Sequence, residues 1–560
     1  MDRLKPWLRS LFNRKTLRED AVAGLVLGVE SVPDGLAGGL LAGVNPVFGL
    51  YGYMVGTVTG AFFTSATFMA VQATGAMAII VADVPSVHGG EDPKRALFTL
   101  AVVTGAVMLA AGLFKLGSLL RWVSNSVMVG FINAVGINIV LGQLDNFSGY
   151  EAEGANRVVR AFDLLFNLGQ AHWPSMLIGA TTIVLIIVFE KTRLGPLGMV
   201  AAIIVTSIVV PLLGWDVQQL RDITEIPGSL PLPMWPDLRL IPALLLPAAA
   251  LAFVGLVQGA GISASFPNPD GEFPDDSQDF VGQGAANIAA GIFQGMPVGG
   301  SMSASSLVKE AGARSKAAML IAGVVMAVSI LLLGDLVGYI AMPALAGLLM
   351  IVGYRTVKPG DIKAVWRTGS TQAVVMTVTF VLTMIIPLQN AVLVGIGISL
   401  ILFVIKQSNR ISVRRWIVKE NGRIREVDAP DEIGSNEVVV LQPYGSLFFA
   451  SAPVFEEEMP KVTDSSRNSV VIIRLRGKSD LGSTFMDVLG RYANSLLEMD
   501  SKLVLVYADE RVHDQLVATG VADLLGPAGI YESDEWVGST VKRAHEDATV
   551  WISEHLPEGS

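Results

Sequence analysis

Two apolar segments of this chain are about half as long as a lipid bilayer is thick. Thr74-Gly75-Ala76-Met77-Ala78-Ile79-Ile80-Val81-Ala82-Asp83 is one, and Ser301 to Glu310 is the other, ten residues each. At ~1.5 Å per residue a helix of that length covers roughly 15 Å of a hydrocarbon core about 30 Å deep, so each must start or stop near the midplane. Hydropathy marks apolar segments near residues 21–44, 46–64, 72–83, 96–115, 124–143, 173–190, 196–213, 240–262, 280–295, 301–310, 316–334, 336–353, 371–387 and 389–406. These are fourteen, and the short ones stand third and tenth. Seven segments followed by seven give two repeats of opposite topology, because an odd number of crossings inverts the second. The expected fold is an α-helical polytopic membrane protein with 14 segments in 7+7 inverted repeats.

The composition agrees: 51% of the 560 residues are hydrophobic and only 16% are charged, which excludes a soluble protein of this size. A basic amphipathic leader (Arg3, Lys5, Arg9, Arg14, Lys15, Arg18) precedes the first apolar stretch without a small-residue cleavage site, so that stretch reads as a retained first span. With the leader inside, Lys115 and Arg121, Lys191 and Arg193, Arg314 and Lys316, Arg355 and Lys358, and Lys406 and Arg410 all fall on the inner side. The positive-inside rule is met at each of these loops, which places both termini in the cytoplasm and the chain in the inner (plasma) membrane. The loop Asn268 to Asp276 is acidic, which the rule tolerates because it counts Lys and Arg. The outer loops Val84 to Arg95 and Gly214 to Leu238 mix charges or lean acidic. There is no cysteine, and the five histidines (His88, His172, His513, His545, His555) lack ligand spacing, so no metal centre and no cofactor are expected. A net charge of -10 argues against a nucleic-acid partner.

After Lys406 the character changes. Arg410, Arg414, Arg415 and Lys419 form a basic stretch suited to anionic inner-leaflet lipid. Val438 to Leu441, Leu447 to Phe449, Val470 to Leu475 and Leu503 to Tyr507 read as short strands. They alternate with helical patterns near Pro453 to Val462, Thr484 to Leu497, Val512 to Thr519 and Ser539 to Glu546, the pattern of a small α/β domain.

Residues able to carry chemistry cluster in the membrane part. Glu30 lies ten residues past Asp20, about 15 Å deep, and Asp34 is on the same helix face with Pro33 between them. Intramembrane carboxylates cost about 2.5–3.5 kcal/mol each on insertion scales and are candidates for proton or cation coupling. Beside an anion site, a carboxylate repels the anion when ionised and admits it when protonated. The alternative is a hydrogen bond to a neighbouring helix that serves packing, or for Asp34 a water-filled vestibule. The two half-length segments begin with Gln72-Ala73-Thr74-Gly75 and Pro297-Val298-Gly299-Gly300-Ser301-Met302-Ser303. Glycine lets an anion approach the backbone, helix-start N–H groups and positive dipole ends attract it, and Thr74, Ser301 and Ser303 can donate hydrogen bonds. The candidate anion-binding set is Thr74, Gly75, Ala76, Gly299, Gly300, Ser301, Met302 and Ser303. Its competing reading is close helix packing through small residues.

Several blocks resemble the sulfate permease family of anion transporters with a C-terminal STAS domain. They are Val32-Pro33-Asp34-Gly35-Leu36-Ala37, Ala42-Gly43-Val44-Asn45-Pro46-Val47-Phe48-Gly49-Leu50-Tyr51, Asn125-Ser126-Val127-Met128-Val129-Gly130-Phe131 and Gln283-Gly284-Ala285-Ala286-Asn287-Ile288. The most specific is Gly300-Ser301-Met302-Ser303-Ala304-Ser305 with Ala311-Gly312-Ala313-Arg314-Ser315. The resemblance covers almost the whole chain and implies a core domain moving against a gate domain, an anion between the third and tenth helices, and a homodimer. It implies four regions: a cytoplasmic leader 1–20, a transport domain 21–408, a linker 409–435 and a cytoplasmic STAS-like domain 436–555. Two departures matter. Ala304 stands where the family commonly has Arg, and Gln258 stands in Gly255-Leu256-Val257-Gln258-Gly259 where cation-coupled relatives carry an acid. Sodium coupling is thereby disfavoured and Glu30 becomes the better coupling candidate, with Asp34 and Gln258 beside it; an exchanger or facilitator without a coupling ion is the alternative. Tyr444 to Ala452 resembles the family's linker into the first STAS helix. Asp480-Leu481-Gly482-Ser483-Thr484 occupies the turn where related domains are phosphorylated, so Ser483 and Thr484 are regulatory candidates. Phe485 and Met486 depart from that pattern, and Thr484 is expected instead as a helix N-cap.

The chain is therefore expected to be a secondary transporter of small inorganic anions and not an enzyme, with sulfate the expected cargo and bicarbonate its close rival. A membrane-anchored STAS signalling scaffold is the competing class. Nucleobase transport is disfavoured, since no aromatic stacking residue stands at the half-length segments or at Gln258.

Overall fold

The computed structural model describes residues 16–117, 124–223, 228–408, 411–419, 423–447, 449–475, 477–478, 481–507, 509–532 and 538–556. The leader up to Lys15, Arg121, residues 224–227 of an outer loop, Arg410, Phe448 and Asp480 lie outside the described residues. Each expected apolar segment is a helix: α1 (Leu17–Leu41), α2 (Pro46–Phe63), α3 (Gly75–Ala82), α4 (Pro93–Leu113), α5 (Asn125–Leu141), α6 (Trp173–Glu190) and α7 (Gly198–Leu213) form the first half. The second half holds α8 (Ile241–Ser265), α9 (Asp276–Ile292), α10 (Met302–Glu310), α11 (Ala317–Val337), α12 (Met342–Thr356), α13 (Ser370–Ile385) and α14 (Leu388–Ser408). Local chemistry sets their ends. The Asn45 side chain accepts the Val47 N–H at 3.0 Å and Pro46 opens α2, so a cap and a prefixed φ start that helix.

The helices pack as two bundles. In the first, α1 lies on α2 and α11, while α9 lies on α2 and α4, and α4 on α8. In the second, α5 contacts α12 and α13, and α6 contacts α7 and α12. Each bundle thus takes corresponding members of both halves, as an inverted repeat requires. Lipid tails give no hydrophobic drive between helices, so close backbone approach through small residues does the packing. A Cβ added to Gly105 of α4 would lie 2.6 Å from the Gly284 carbonyl oxygen, and one on Gly284 of α9 would lie 2.6 Å from the Leu109 nitrogen. Replacing Gly284 with Leu is accordingly expected to lower the thermal midpoint of the solubilised full-length protein, by about 1–3 kcal/mol of overpacking or more. An unchanged midpoint would show that the two backbones do not meet.

One element was not anticipated. Three-residue strands β1 (Ala70–Gln72) and β2 (Gly299–Ser301) pair antiparallel just ahead of α3 and α10, with Ala70 opposite Ser301, Val71 opposite Gly300 and Gln72 opposite Gly299.

The C-terminal unit is a six-stranded sheet in the order β4-β3-β5-β6-β7-β8. Its strands are β3 (Ser412–Val418), β4 (Ile424–Asp428), β5 (Val438–Tyr444), β6 (Val470–Arg474), β7 (Lys502–Tyr507) and β8 (Ile530–Glu532). Its main helices are α15 (Ala452–Glu458), α16 (Ser483–Glu498), α17 (Glu510–Ala518) and α18 (Ser539–Glu554). The central runs of the parallel strands β5, β6 and β7 are apolar on both faces, as a doubly covered sheet demands. Val439, Leu441, Val471 and Ile473 pack with Phe485 and Leu489 of α16, while Val440, Ile472 and Val504 pack with Val541 and Ala544 of α18.

Three expectations for this unit are corrected. Leu447 and Phe449 are in no strand: a short 3-10 turn, Phe449–Ser451, follows β5 and leads directly into α15. The segment 409–435 is not merely a linker, because β3 and β4 form a hairpin whose first strand pairs with β5. Two of its arginines pair within this unit, Arg414 with Asp428 and Arg415 with Glu437 at 3.1 Å. Thr484 is not the N-cap of α16; Gly482 holds that position, with Ser483 and Thr484 exposed in the first turn.

Candidate functional site

The two half-length helices leave the β1–β2 pair toward opposite faces. Beyond α10, the Arg314 and Ser315 N–H groups donate to Asp20 at the start of α1, at 2.6 and 2.8 Å. Beyond α3, His88 approaches Gly43, just past the end of α1. Since α1 runs from one face to the other, α3 and α10 diverge and their N-terminal ends meet at mid-height. There the first-turn N–H groups of Gly75 and Ala76, and of Met302 and Ser303, have no carbonyl one turn back.

Both helices carry a hydroxyl cap. Thr74 Oγ1 accepts the Met77 N–H and Ser301 Oγ accepts the Ala304 N–H, each at 3.4 Å. A capping oxygen uses a lone pair, so its O–H remains able to donate. Ser303 Oγ lies 3.2 Å from Ser301 Oγ. Met302 is 43% exposed and Ser303 is exposed, while Thr74 and Gly75 are half-buried and Ala76 is buried, so the start of α10 can be reached from outside the packed helices.

The glycines of β2 act differently from the expectation. The Gly300 N–H donates to Gln283 Oε1 at 3.0 Å and so is not offered to a ligand. Gly299 and Gly300 instead let α8 close in: an added Cβ would lie 2.9 Å from Gly255 Cα or 2.8 Å from Gly259 Cα. Ala304 is buried, so no charge occupies the position that the family gives to Arg.

The scaffold behind β2 comes from α9. Asp279, Gln283 and Asn287 recur every four residues and are fully buried. Asn287 Oδ1 accepts the Val298 N–H at 2.9 Å and its Nδ2 donates to the Val298 carbonyl at 2.6 Å. The sequence reading missed these supports; a stripe of polar residues at i, i+4 and i+8 in a helix that must be buried was the available signal.

The scaffold behind β1 comes from α1 and α2. Gln72 Nε2 donates to Ser31 Oγ at 2.9 Å. Tyr53 Oη lies 2.7 Å from Asp34 Oδ2 and 2.8 Å from the Ala73 carbonyl oxygen. Asp34 therefore touches the chain one residue ahead of Thr74 through a single tyrosine. Glu30 stands one turn earlier on α1, half-buried, and the ion pairs of the described residues lie elsewhere. Gln258 is half-buried beside the Gly255/Gly259 face, and its Oε1, like that of Gln72, is buried without a hydrogen-bond partner. Among the described residues, no group of three or more His, Asp or Glu is placed to hold a metal ion.

Paired half-helices within a two-bundle helical domain, with a sheet-and-helix unit later in the chain, define a polytopic anion-transport protein with a C-terminal STAS domain. The chain matches the sulfate permease family over residues 17–379 and the STAS domain over residues 429–544. It belongs to the sulfate permease family. Among its relatives are the putative sulfate transporter YvdB of Bacillus subtilis, 24% identical across 94% of this chain and 98% of that one, and the bicarbonate transporter BicA of Synechocystis, 25% identical across 98% and 97%. The fold matches that of murine Slc26a9, described as an anion transporter in the inward-facing state, with a TM-score of 0.83 at 19% identity over 98% of this chain and 93% of that one.

Proposed function

We propose that this protein is a secondary active transporter of a small inorganic oxyanion, with sulfate the first candidate and bicarbonate the second, and that the anion binds between the N-terminal ends of α3 and α10. The observation that carries this reading is the pair of capped helix starts joined by β1 and β2 at mid-height. Gly75, Ala76, Met302 and Ser303 would supply N–H groups, while Thr74, Ser301 and Ser303 would supply hydroxyls, a donor set suited to a small oxyanion. Relatives named as sulfate and bicarbonate transporters support both cargoes. Uptake of labelled anions into proteoliposomes, competed with unlabelled sulfate, bicarbonate, nitrate and dicarboxylates at two pH values with and without sodium, decides among them. Absence of uptake for every anion would refute the reading.

The face carrying Asp20 is the cytoplasmic one in this reading, because Lys191, Arg193, Arg314, Lys316, Arg355 and Lys358 gather toward it. The protein would sit in the plasma membrane as a homodimer, with the STAS unit in the cytoplasm. The competing scaffold reading is separated by truncation after Lys406: a scaffold loses its activity, whereas a folded transport domain keeps some flux.

Proton coupling would pass through Asp34. Tyr53 has one O–H and two acceptors, so an ionised Asp34 and the Ala73 carbonyl must share a single proton. A protonated Asp34 donates to Tyr53, and Tyr53 then donates fully to Ala73, firming the backbone just ahead of Thr74. Asp34→Asn, whose amide donates in the same way, is expected to remove the pH dependence of uptake and hold it at its acid-side value. Tyr53→Phe should also flatten the profile, and Glu30→Gln tests the neighbouring carboxylate. Profiles that keep their shape in Asp34→Asn and Tyr53→Phe would exclude this route.

A further inference from the structure

The strongest unassigned feature lies at the far end of α3, away from the anion site. Asp83 stands at the C-terminal end of that helix, where the dipole disfavours a negative charge. It is nonetheless held by two partners. Oδ1 accepts from Arg157 Nη2 at 2.9 Å, and Oδ2 accepts the Leu388 N–H at 2.8 Å. Leu388 is the first residue of α14, so Asp83 serves that helix as an N-terminal cap supplied from a different part of the chain. Arg157 lies over Gly142 at the end of α5: a Cβ added there would be 3.5 Å from its Nε.

α3 packs against α1 and α8 of the first bundle and against α5 of the second, where α14 also belongs, Gly395 of α14 lying against Val127 of α5 and Thr379 of α13. Asp83 therefore bridges the two bundles. The pair is mostly withdrawn from water, with side-chain exposures of 16% for Asp83 and 22% for Arg157. By contrast, the Asp20 ties to Arg314 and Ser315, and the Asp279 ties to Ser65 and Ser263, stay inside the first bundle.

We infer that Asp83 and Arg157 form a latch that holds the two bundles together on the face opposite Asp20, and that this latch must open for the anion site to be reached from that face. The inference rests on the transport reading given above. α3 has eight residues, roughly 12 Å, and is a single rigid rod with the latch at one end and Thr74 and Gly75 at the other. Displacing either end displaces the other. Once released, the carboxylate and the guanidinium both gain water, so the open arrangement is reachable without stranding a buried charge.

The chain contains no cysteine, so one introduced thiol reports accessibility without background. Ile139 of α5 is buried against α3, where a Cβ on Gly75 would lie 2.6 Å from its Cδ1. The test uses the full-length Ile139→Cys protein in lipid nanodiscs and the rate of labelling by a hydrophilic maleimide. Adding Asp83→Asn or Arg157→Gln is expected to raise that rate roughly tenfold, the factor corresponding to one lost charge-assisted contact. The double variant should label no faster than the quicker single one, since both remove the same contact. If Asp83→Asn does not yield monodisperse protein, the partly exposed Arg157→Gln decides alone. Unchanged labelling in a monodisperse variant would overturn the latch. Raised labelling in a chain that takes up no anion would support the latch and overturn the transport reading, so the two fail separately.

Discussion

Replacing Asp279 with Ala is expected to destabilise the full-length protein by about 3–5 kcal/mol, as breaking a buried charged network does. Asp279 is fully buried in α9. Its Oδ1 accepts the Ser65 N–H at 2.6 Å, the Ser65 hydroxyl at 2.9 Å and the Ala66 N–H at 3.0 Å, and its Oδ2 accepts the Ser263 hydroxyl at 2.6 Å. The carboxylate thereby fastens the end of α2 and the end of α8 to the start of α9. Its removal leaves the Ser65 and Ala66 N–H groups unpaired, while the Ser65 and Ser263 hydroxyls keep the Asp275 and Gly259 carbonyls as acceptors, and it strips the countercharge from buried Lys316, whose ammonium donates to the Thr64 carbonyl. Asp279→Asn should lose less, because it keeps one acceptor oxygen. Denaturant or thermal unfolding of the purified protein measures both, and an Ala variant within about 1 kcal/mol of the parent would show that the network is dispensable.

The second large effect is on binding. Thr74→Val together with Ser301→Ala is expected to weaken anion affinity by roughly 100-fold or more, with each single change costing roughly tenfold, because a hydrogen bond to a charged ligand contributes about 1.5–3 kcal/mol. Both hydroxyls also cap their helices, and loss of a cap costs about 1 kcal/mol of stability. The two consequences are separable. Titration of anion binding reports the ligand contribution, and the unfolding midpoint without anion reports the caps. A double variant with lowered stability and unaltered affinity would reduce Thr74 and Ser301 to helix caps and move the anion elsewhere.

The membrane helices were legible because hydropathy and length are one-dimensional quantities, and a ten-residue segment cannot be mistaken for a crossing one. Thr74 and Ser301 were legible as helix starts because small hydroxyl residues precede apolar runs there. The use of each backbone group was not. Gly300 sits in a glycine-rich helix start that reads as a ligand cradle, yet its N–H is taken by Gln283, seventeen residues upstream on α9. No local pattern encodes that distance. Likewise β1 and β2 are too short to show alternation, and their pairing joins residues more than two hundred positions apart. In the C-terminal unit, the buried runs of β5, β6 and β7 were plain, whereas the β3 and β4 hairpin was read as a basic linker. Counting its basic residues could not show that Arg414 and Arg415 pair with Glu426, Asp428 and Glu437.

The pairing of Val71 with Gly300 has a consequence for how cargo moves. A ladder between the lead-ins of the two broken spans prevents either from swinging away by itself, so the protein cannot hand an ion from one to the other as runners pass a baton. If the anion sits there as proposed, both halves of the cradle would travel as a single carriage, and the ion would move no further than the bundle that carries it.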